Sequence, residues 1–275
     1  MTVVKTLENL SALLRSRIVE FSYRTKTPHL GSCLSCVDIL TAVYFHRLKI
    51  NVEAPNDPVR DRFVLSKGHA APALFQVLAL KGFFPYEDLQ KAKHDGTDYF
   101  GEHPPTPNHL PGIEAATGSL GHGLPMATGF ALAAKISNLN YDTFTLVGDG
   151  ECNEGSIWEA VSLAASLKLS NLTLFVDYNR WQATGRSDEI MMLDPLVQKF
   201  AAFGWECVEI NGHDFGQILQ ALDLSKSGNG KPLAIVAKTT KGKGVSFMED
   251  DNNWHYRTPN SDELKDALIE LGQEI

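Results

Sequence analysis

The sequence predicts an α/β fold in which helices cover both faces of a parallel sheet. Five short runs of aliphatic, β-branched or aromatic residues alternate with stretches of helical periodicity, as in consecutive βαβ units. The first three runs are almost wholly apolar, which is typical of strands covered by helices on both sides. The predicted strands are residues 63–65, 143–147, 172–176, 207–210 and 233–237.

Two helices are predicted near the N-terminus. Apolar residues recur at helical spacing from Leu7 to Phe21, and a second helical stretch is predicted to begin at Ser35, with Asp38 three residues later. The loop 28–32 would then lie between the two helices. Two longer segments without periodicity, 93–114 and 239–259, combine histidine with glycine or tryptophan, so we expect functional loops there.

The composition and charge of the chain exclude several classes of function. The chain has 275 residues, of which 43% are hydrophobic and 21% charged, and its net charge is −8. Its basic residues are scattered, so we expect neither a nucleic-acid nor a membrane partner. The sequence has neither an apolar run of membrane-spanning length nor a signal peptide, so a cytoplasmic location is expected. Without repeats or linkers, residues 1–275 are predicted to form a single domain.

Two residues at predicted strand ends form a candidate metal site. Asp149 lies between two glycines after the second strand, and Asn179 follows the third, 179 − 149 = 30 positions later, which is one βαβ unit. Right-handed crossovers would bring both to the carboxyl edge of the sheet. A carboxylate with an amide oxygen suits Mg²⁺ or Ca²⁺ and leaves positions for phosphate oxygens. The helix predicted over 156–167 would direct its N-terminal N–H groups toward the same anion.

This Gly-Asp-Gly motif with a later asparagine resembles the thiamine-diphosphate motif. Four histidine segments narrow the resemblance to the transketolase family, over nearly the whole chain. The segments are Pro28-His29-Leu30-Gly31, Leu65-Ser66-Lys67-Gly68-His69, Gly101-Glu102-His103-Pro104 and residues 238–244 leading to Trp254-His255. A further segment, Thr117-Gly118-Ser119-Leu120-Gly121, resembles the loop that lies against the aminopyrimidine of the cofactor.

The resemblance implies thiamine diphosphate and Mg²⁺ as cofactors, with Ca²⁺ or Mn²⁺ as possible substitutes. The implied metal ligands are Asp149, Asn179 and the main-chain carbonyl of Trp181. The residues implied to bind the cofactor are His69, Gly118, Ser119, Leu120, Asp149, Gly150, Glu154, Asn179 and His255. The implied catalytic residues, which would face the reacting carbons, are His29, His103 and His255. Cleaving a ketose beside its carbonyl requires proton transfers, and imidazole titrates near the working pH.

The sequence departs from the family pattern at several positions. Ser119 stands where transketolases usually have proline, and His122 stands where they usually have glutamine. Trp181 and Gln182 replace smaller or aliphatic residues, and residues 151–153 also differ from the usual ones.

The resemblance also implies a partner. Full-length transketolases are more than twice as long, because a second module activates the aminopyrimidine and a third completes the dimer. The chain is therefore expected to be the N-terminal subunit of a split transketolase, inactive without a C-terminal subunit that carries the pyrimidine-binding and C-terminal modules. An α2β2 assembly would transfer a two-carbon ketol unit from a ketose or ketose phosphate to an aldose or aldose phosphate. The alternatives are the α subunit of a 2-oxo acid dehydrogenase or decarboxylase, and a regulatory or scaffold subunit.

Other motifs have simpler structural interpretations. Cys33-x-x-Cys36 is not followed by a second pair, so buried reduced thiols are favoured over a zinc or redox site. The glycines in 118–123 do not have the spacing of a dinucleotide fingerprint, and residues 241–244 lack the Walker spacing.

Overall fold

One parallel sheet of five strands organises the part of the chain that the computed structural model describes, residues 2–93, 99–226 and 229–273. The strands are β1 Arg62–Leu65, β2 Thr143–Gly148, β3 Leu172–Tyr178, β4 Glu206–Asn211 and β5 Leu233–Lys238. Their order across the sheet is β1-β2-β3-β5-β4, and every neighbouring pair is parallel. The five predicted strands are confirmed, each longer than predicted by one or two residues.

Helices occupy the connections between the strands. They are α1 Val3–Thr25, α2 Leu30–Ser35, α3 Val37–Ala42, α4 Ala71–Lys81, α5 Tyr86–Gln90, α6 Gly123–Ile136, α7 Gly155–Ser166, α8 Ser187–Ile190, α9 Leu196–Ala202, α10 Phe215–Leu224 and α11 Ser261–Glu270. A π-helical turn covers Val43–Arg47, and 3-10 turns cover Gly68–Ala70, Gly150–Asn153 and Asn252–His255. None of the helices among the described residues has the length and apolarity needed to cross a bilayer.

The second predicted helix is present as α3 and the π-helical turn that follows it, but its predicted start at Ser35 was wrong because a further helix, α2, precedes it. Helical structure begins at Leu30 instead of Ser35, because His29 adopts a left-handed conformation (φ 68°) and turns the chain directly into α2. Gly31, which the sequence places in a loop, lies inside this helix, where a Cβ would come within 3.0 Å of the Lys241 Cγ. A glycine is therefore needed at position 31 because Lys241 packs closely against it, and not because the chain turns there.

Strand side chains alternate between two apolar cores, one on each face of the sheet. Phe144 and Phe175 belong to the core built with α1 to α5, α10 and α11. Leu174 and Val176 belong to the core built with α6, α7 and α9. This alternation is the two-residue period of a strand and confirms that helices cover both faces.

Both cysteines of the Cys-x-x-Cys motif are free thiols in the first core, and their predicted burial is confirmed. Burial raises the pKa of the Cys33 thiol well above its usual range and that of Cys36 to about 12. In the first expected loop, residues 99–114 contain neither helix nor strand, and 94–98 lie outside the described residues. The second expected loop, 239–259, contains one 3-10 turn at Asn252–His255 and otherwise neither helix nor strand.

A buried ion pair ties α1 to α3. The Arg15 guanidinium donates to both carboxylate oxygens of Asp38, at 3.0 and 2.6 Å. Burial by itself would raise the pKa of Asp38, but the charge of Arg15 and a hydrogen bond with His213 outweigh it and hold the pKa well below its usual range. Asp38 is therefore ionised, and each charge depends on the other.

Replacing Asp38 with asparagine should strongly destabilise the fold, because it leaves the buried Arg15 charge uncompensated. We expect the free energy of unfolding, measured by urea denaturation near neutral pH, to fall by about 3–5 kcal/mol. Lys5→Gln is the control, since it breaks an exposed pair with Glu8 that should contribute little. Similar losses in the two variants would contradict this account.

Candidate active site

A cavity of about 320 Å³ opens at the carboxyl edge of the sheet. The segments after β1, β2, β3 and β5 meet there, and β2 and β3 are neighbours in the sheet. It is lined by eleven of the twelve predicted site residues: His29, His69, His103, Gly118, Leu120, Asp149, Gly150, Glu154, Asn179, Trp181 and His255. The twelfth, Ser119, is exposed between two lining residues and is not itself part of the lining.

Four histidines from separate segments converge in this cavity. The ring centroid of His29 lies 4.7 Å from that of His255, 5.4 Å from that of His69 and 6.4 Å from that of His103. The left-handed turn at His29 also lets its backbone N–H donate to the carbonyl of His255, at 2.8 Å. The cluster is therefore held through the main chain as well as through ring contacts.

The buried imidazoles are neutral near neutral pH. Burial, reinforced by the nearby charge of Lys241, lowers the pKa of His255 to about 3. Burial, with the Lys67 charge, lowers the pKa of His69 well below its usual value. The pKa of His29 is also lowered by burial, and its Nδ1 atom is buried without a hydrogen-bond partner. Each of these rings is therefore neutral, with one nitrogen that carries a proton and one that can accept a hydrogen bond.

Lys241 fixes the orientation of the His255 ring. Its ammonium lies 3.2 Å from His255 Nδ1 and donates to Asn252 Oδ1 at 2.6 Å. An ammonium has only donors, so Nδ1 accepts and the neutral ring carries its proton on Nε2. Burial, reinforced by the charge of Lys67, lowers the pKa of Lys241 to about 8, so the ammonium form still predominates near pH 7.

Asp149 and Asn179 form an oxygen-rich corner of the cavity. Asp149 is 1% exposed and accepts a hydrogen bond from Ser187 Oγ at 2.8 Å, and burial raises its pKa to about 7. Asn179 donates from Nδ2 to Asp177 at 3.1 Å, and its Oδ1 accepts from the Trp181 N–H at 3.1 Å. A buried carboxylate beside an amide oxygen fits a hard divalent cation, whose charge would offset the cost of ionising Asp149.

A buried ion pair that the sequence analysis missed lies beneath this corner. The Lys67 ammonium contacts the Asp177 carboxylate and donates to the carbonyl of Ser32 at 3.0 Å. Ser35 Oγ donates to the same carboxylate at 2.6 Å, and the Thr239 hydroxyl donates to its other oxygen. Burial opposes both charges, but their mutual attraction outweighs it, so the pKa of Asp177 is lowered and that of Lys67 is raised. An acid at the end of an apolar strand was the sequence signal for such a pair.

A second missed residue, Glu151, joins three segments around the cavity. Its carboxylate accepts the backbone N–H groups of Gly121 at 2.8 Å and Gly148 at 3.1 Å, and it accepts the Ser66 hydroxyl. Ser66 Oγ in turn accepts the Gly123 N–H at 3.1 Å. Glu151 therefore explains one of the departures from the family pattern, since it fixes the glycine-rich segment relative to the end of β2.

Two glycines allow close approach of backbone within the cavity wall. Gly118 has φ 153°, and a Cβ there would lie 2.8 Å from His103 Cδ2. A Cβ on Gly68 would lie 2.7 Å from the backbone nitrogen of Gly118. The turn that carries His69 therefore rests directly on the glycine-rich segment, which any larger residue would push away.

Trp181 and Arg186 face each other across a short antiparallel bridge, and their side chains are in contact. The Arg186 guanidinium lies over the Trp181 ring at 3.7 Å, and the indole N–H donates to Asp250 at 2.8 Å. Arg186 also donates to both oxygens of Asp250, each at 2.6 Å. These contacts hold the bulky side chain that departs from the family pattern.

Comparisons with known proteins agree with this geometry. The family model described as transketolase, thiamine diphosphate binding domain, matches residues 8–274. An apulose-4-phosphate transketolase subunit from Phocaeicola vulgatus is 40% identical, over 99% of this chain and 96% of the relative. The 6-deoxy-6-sulfo-D-fructose transketolase subunit SqwG of a Clostridium species is 40% identical, over 98% and 97%. The structure of Campylobacter jejuni transketolase superposes with a TM-score of 0.87 at 33% identity, covering 99% of this chain but 43% of that chain.

Acidification should destabilise the fold through the buried histidines. Because the pKa of His255 in the folded chain is about 3, only the unfolded state gains this proton as the pH falls below about 6.5. Stability should fall by about 1.4 kcal/mol per pH unit for this one group. In urea denaturation between about pH 7 and pH 5, His255→Asn should show a shallower loss than the wild type. The exposed His109→Asn is the control, and an unchanged slope in His255→Asn would contradict the assignment.

Proposed function

The chain belongs to the transketolase family, and we propose that it is the N-terminal, diphosphate-binding subunit of a split transketolase. The observation that carries the proposal is the convergence of four histidines with Asp149 and Asn179 in one cavity. Two relatives that the chain spans almost end to end are named as transketolase subunits, which supports a separate partner chain. The alternative of a 2-oxo acid dehydrogenase α subunit is not favoured, since the matched relatives are transketolases.

The proposed reaction moves a two-carbon ketol unit from a ketose donor to an aldose acceptor. The partner would be a C-terminal subunit with the pyrimidine-binding and C-terminal modules, in an α2β2 assembly. The names of the two relatives specify a sugar phosphate and a sulfonated sugar, so we propose a ketose with an anionic group as the donor class. We further propose that residues 1–275 form one domain and act in the cytoplasm, where free cysteines such as these stay reduced.

The cavity fits thiamine diphosphate with Mg²⁺. Asp149, Asn179 and the Trp181 carbonyl would hold the metal, and His69 and Gly150 would hold the diphosphate. Residues 118–120 would lie against the aminopyrimidine. The buried Lys241 ammonium, whose hydrogen bonds run to the neutral Asn252 and His255 side chains, favours an anionic guest. When bound, the cofactor supplies the electron sink for cleaving the bond beside the ketose carbonyl, which no side chain here provides.

The histidines are proposed to move the protons of the reaction. His29 is neutral and can take a proton from a donor hydroxyl, and its Nε2 atom lies 3.9 Å from the Glu102 carboxylate. His255 presents an Nε2–H, because its Nδ1 atom faces Lys241, so it can donate a hydrogen bond to a substrate oxygen. His103 is exposed beside them, where a substrate would enter.

The cofactor proposal can be tested by calorimetric titration of thiamine diphosphate and Mg²⁺ into the chain, alone and mixed with its C-terminal partner. Binding should appear or tighten with the partner, and Asp149→Ala should weaken it at least about 100-fold, because a metal ligand is lost. Glu189→Ala removes an exposed acid nearby and should have no effect. Absence of binding in every mixture would overturn the proposal.

The reaction itself can be tested with a panel of phosphorylated, sulfonated and uncharged ketoses and an aldose phosphate acceptor. The mixture of both subunits should transfer the ketol unit from an anionic ketose, whereas this chain alone should be inactive. The control mixture carries Asp149→Ala. Ketol transfer by this chain without a partner would contradict the split-site account, and exclusive use of uncharged ketoses would contradict the donor class.

A further inference from the structure

We propose that His213 is a positioning residue that sets the placement of Lys241 against His255, which lines the cavity. His213 lies on the turn between β4 and α10, outside the cavity lining, and has no part in the chemistry described above. The inference rests on the proposed function only in that this function explains why the placement matters.

The imidazole of His213 bridges a carboxylate and a backbone amide. Its Nδ1 atom lies 2.8 Å from Asp38 Oδ2, and its Nε2 atom lies 2.8 Å from the Thr240 nitrogen. A backbone N–H can only donate, so Nε2 must be the acceptor. The neutral ring therefore carries its proton on Nδ1 and donates it to Asp38, which Arg15 holds from the other side.

The backbone of His213 is fixed as firmly as its ring. The Gly212 N–H donates to the carbonyl of Lys238 at 2.7 Å, and a Cβ on Gly212 would lie 2.5 Å from Thr239 Cγ2. The His213 N–H donates to Asn211 Oδ1 at 2.9 Å. Only glycine allows the turn to approach the segment after β5 this closely, so the ring has little freedom to shift.

The same network holds the chain on both sides of Lys241. His213 binds Thr240, the preceding residue, and the Arg15 Nε–H donates to the carbonyl of Lys243 at 2.9 Å. Between these two points, the Lys241 side chain extends to His255, which lines the cavity. The network Arg15–Asp38–His213 therefore acts as a fixed support behind the residue whose ammonium faces His255.

Small displacements of Lys241 would disturb the His255 ring, because the Lys241 ammonium contacts its Nδ1 atom. Lys241 is 1% exposed, so its ammonium cannot exchange lost partners for water. If the Thr240 backbone shifted, the ammonium would move away from His255 Nδ1, and the His255 ring would lose the donor that fixes its tautomer. We therefore expect the loss of the His213 to Thr240 hydrogen bond to weaken cofactor binding from outside the cavity.

Two substitutions separate this role from simple support of Asp38. In His213→Gln, the side-chain oxygen can take the place of Nε2 and accept the Thr240 N–H. In His213→Asn, the shorter amide can take the place of Nδ1 and donate to Asp38, but it cannot reach Thr240. In the complex with the partner subunit, His213→Gln should keep the affinity for thiamine diphosphate with Mg²⁺ within about threefold, and His213→Asn should lose about tenfold or more. The reverse order, or equal losses, would overturn the proposal.

Hydrogen exchange at the Thr240 amide gives a readout that does not need the cofactor. In the full chain, this amide should be protected in the wild type and in His213→Gln, and it should exchange faster in His213→Asn. Equal protection in His213→Asn would overturn the proposal. If the wild-type complex binds no thiamine diphosphate, the proposed function fails, and the exchange experiment still shows whether His213 holds the backbone that precedes Lys241.

Discussion

The buried ion pair between Lys67 and Asp177 is the interaction on which the site depends. It joins the turn after β1 to the end of β3, and it recruits Ser35 from α2 and Thr239 after β5. Neither charge can be removed from so buried a place without leaving the other uncompensated. Four segments that are distant in sequence are therefore held in one arrangement, which forms the floor of the cavity.

Two further hydrogen-bond networks fix the other segments that surround the cavity. Glu151 fixes the glycine-rich segment to the end of β2, and the Arg15–Asp38–His213 network supports the segment that carries Lys241. The orientation of Asn179 follows from the pair itself, since its amide donates to Asp177 and its oxygen is thereby turned away. Hydrogen bonds among the protein's own residues therefore orient both side chains of the corner proposed to hold the metal.

Features that depend on residues close together in the sequence could be predicted, whereas contacts between distant residues could not. The strands follow from local apolar runs, and the placement of Asp149 and Asn179 in one cavity follows from the geometry of one βαβ unit. The four histidines could be found only by resemblance, since no local pattern unites them. Lys67 and Asp177 are 110 residues apart, and His213 and Asp38 are 175 apart, so neither pair leaves a periodic signal. The start of α2 was missed because Gly31 serves a tertiary contact with Lys241, which the local sequence does not show.

The central claim is that this preset corner holds a metal-bound diphosphate, and a crystal structure of the two-subunit complex with thiamine diphosphate and Mn²⁺ tests it most directly. Anomalous scattering would locate the Mn²⁺ ion independently of the protein atoms. The account predicts one ion bound by the side-chain oxygens of Asp149 and Asn179 and the carbonyl of Trp181, with Lys67 and Asp177 still paired beneath it. A bound cofactor whose metal lies elsewhere, or a cofactor-bound chain in which that pair is broken, would contradict it.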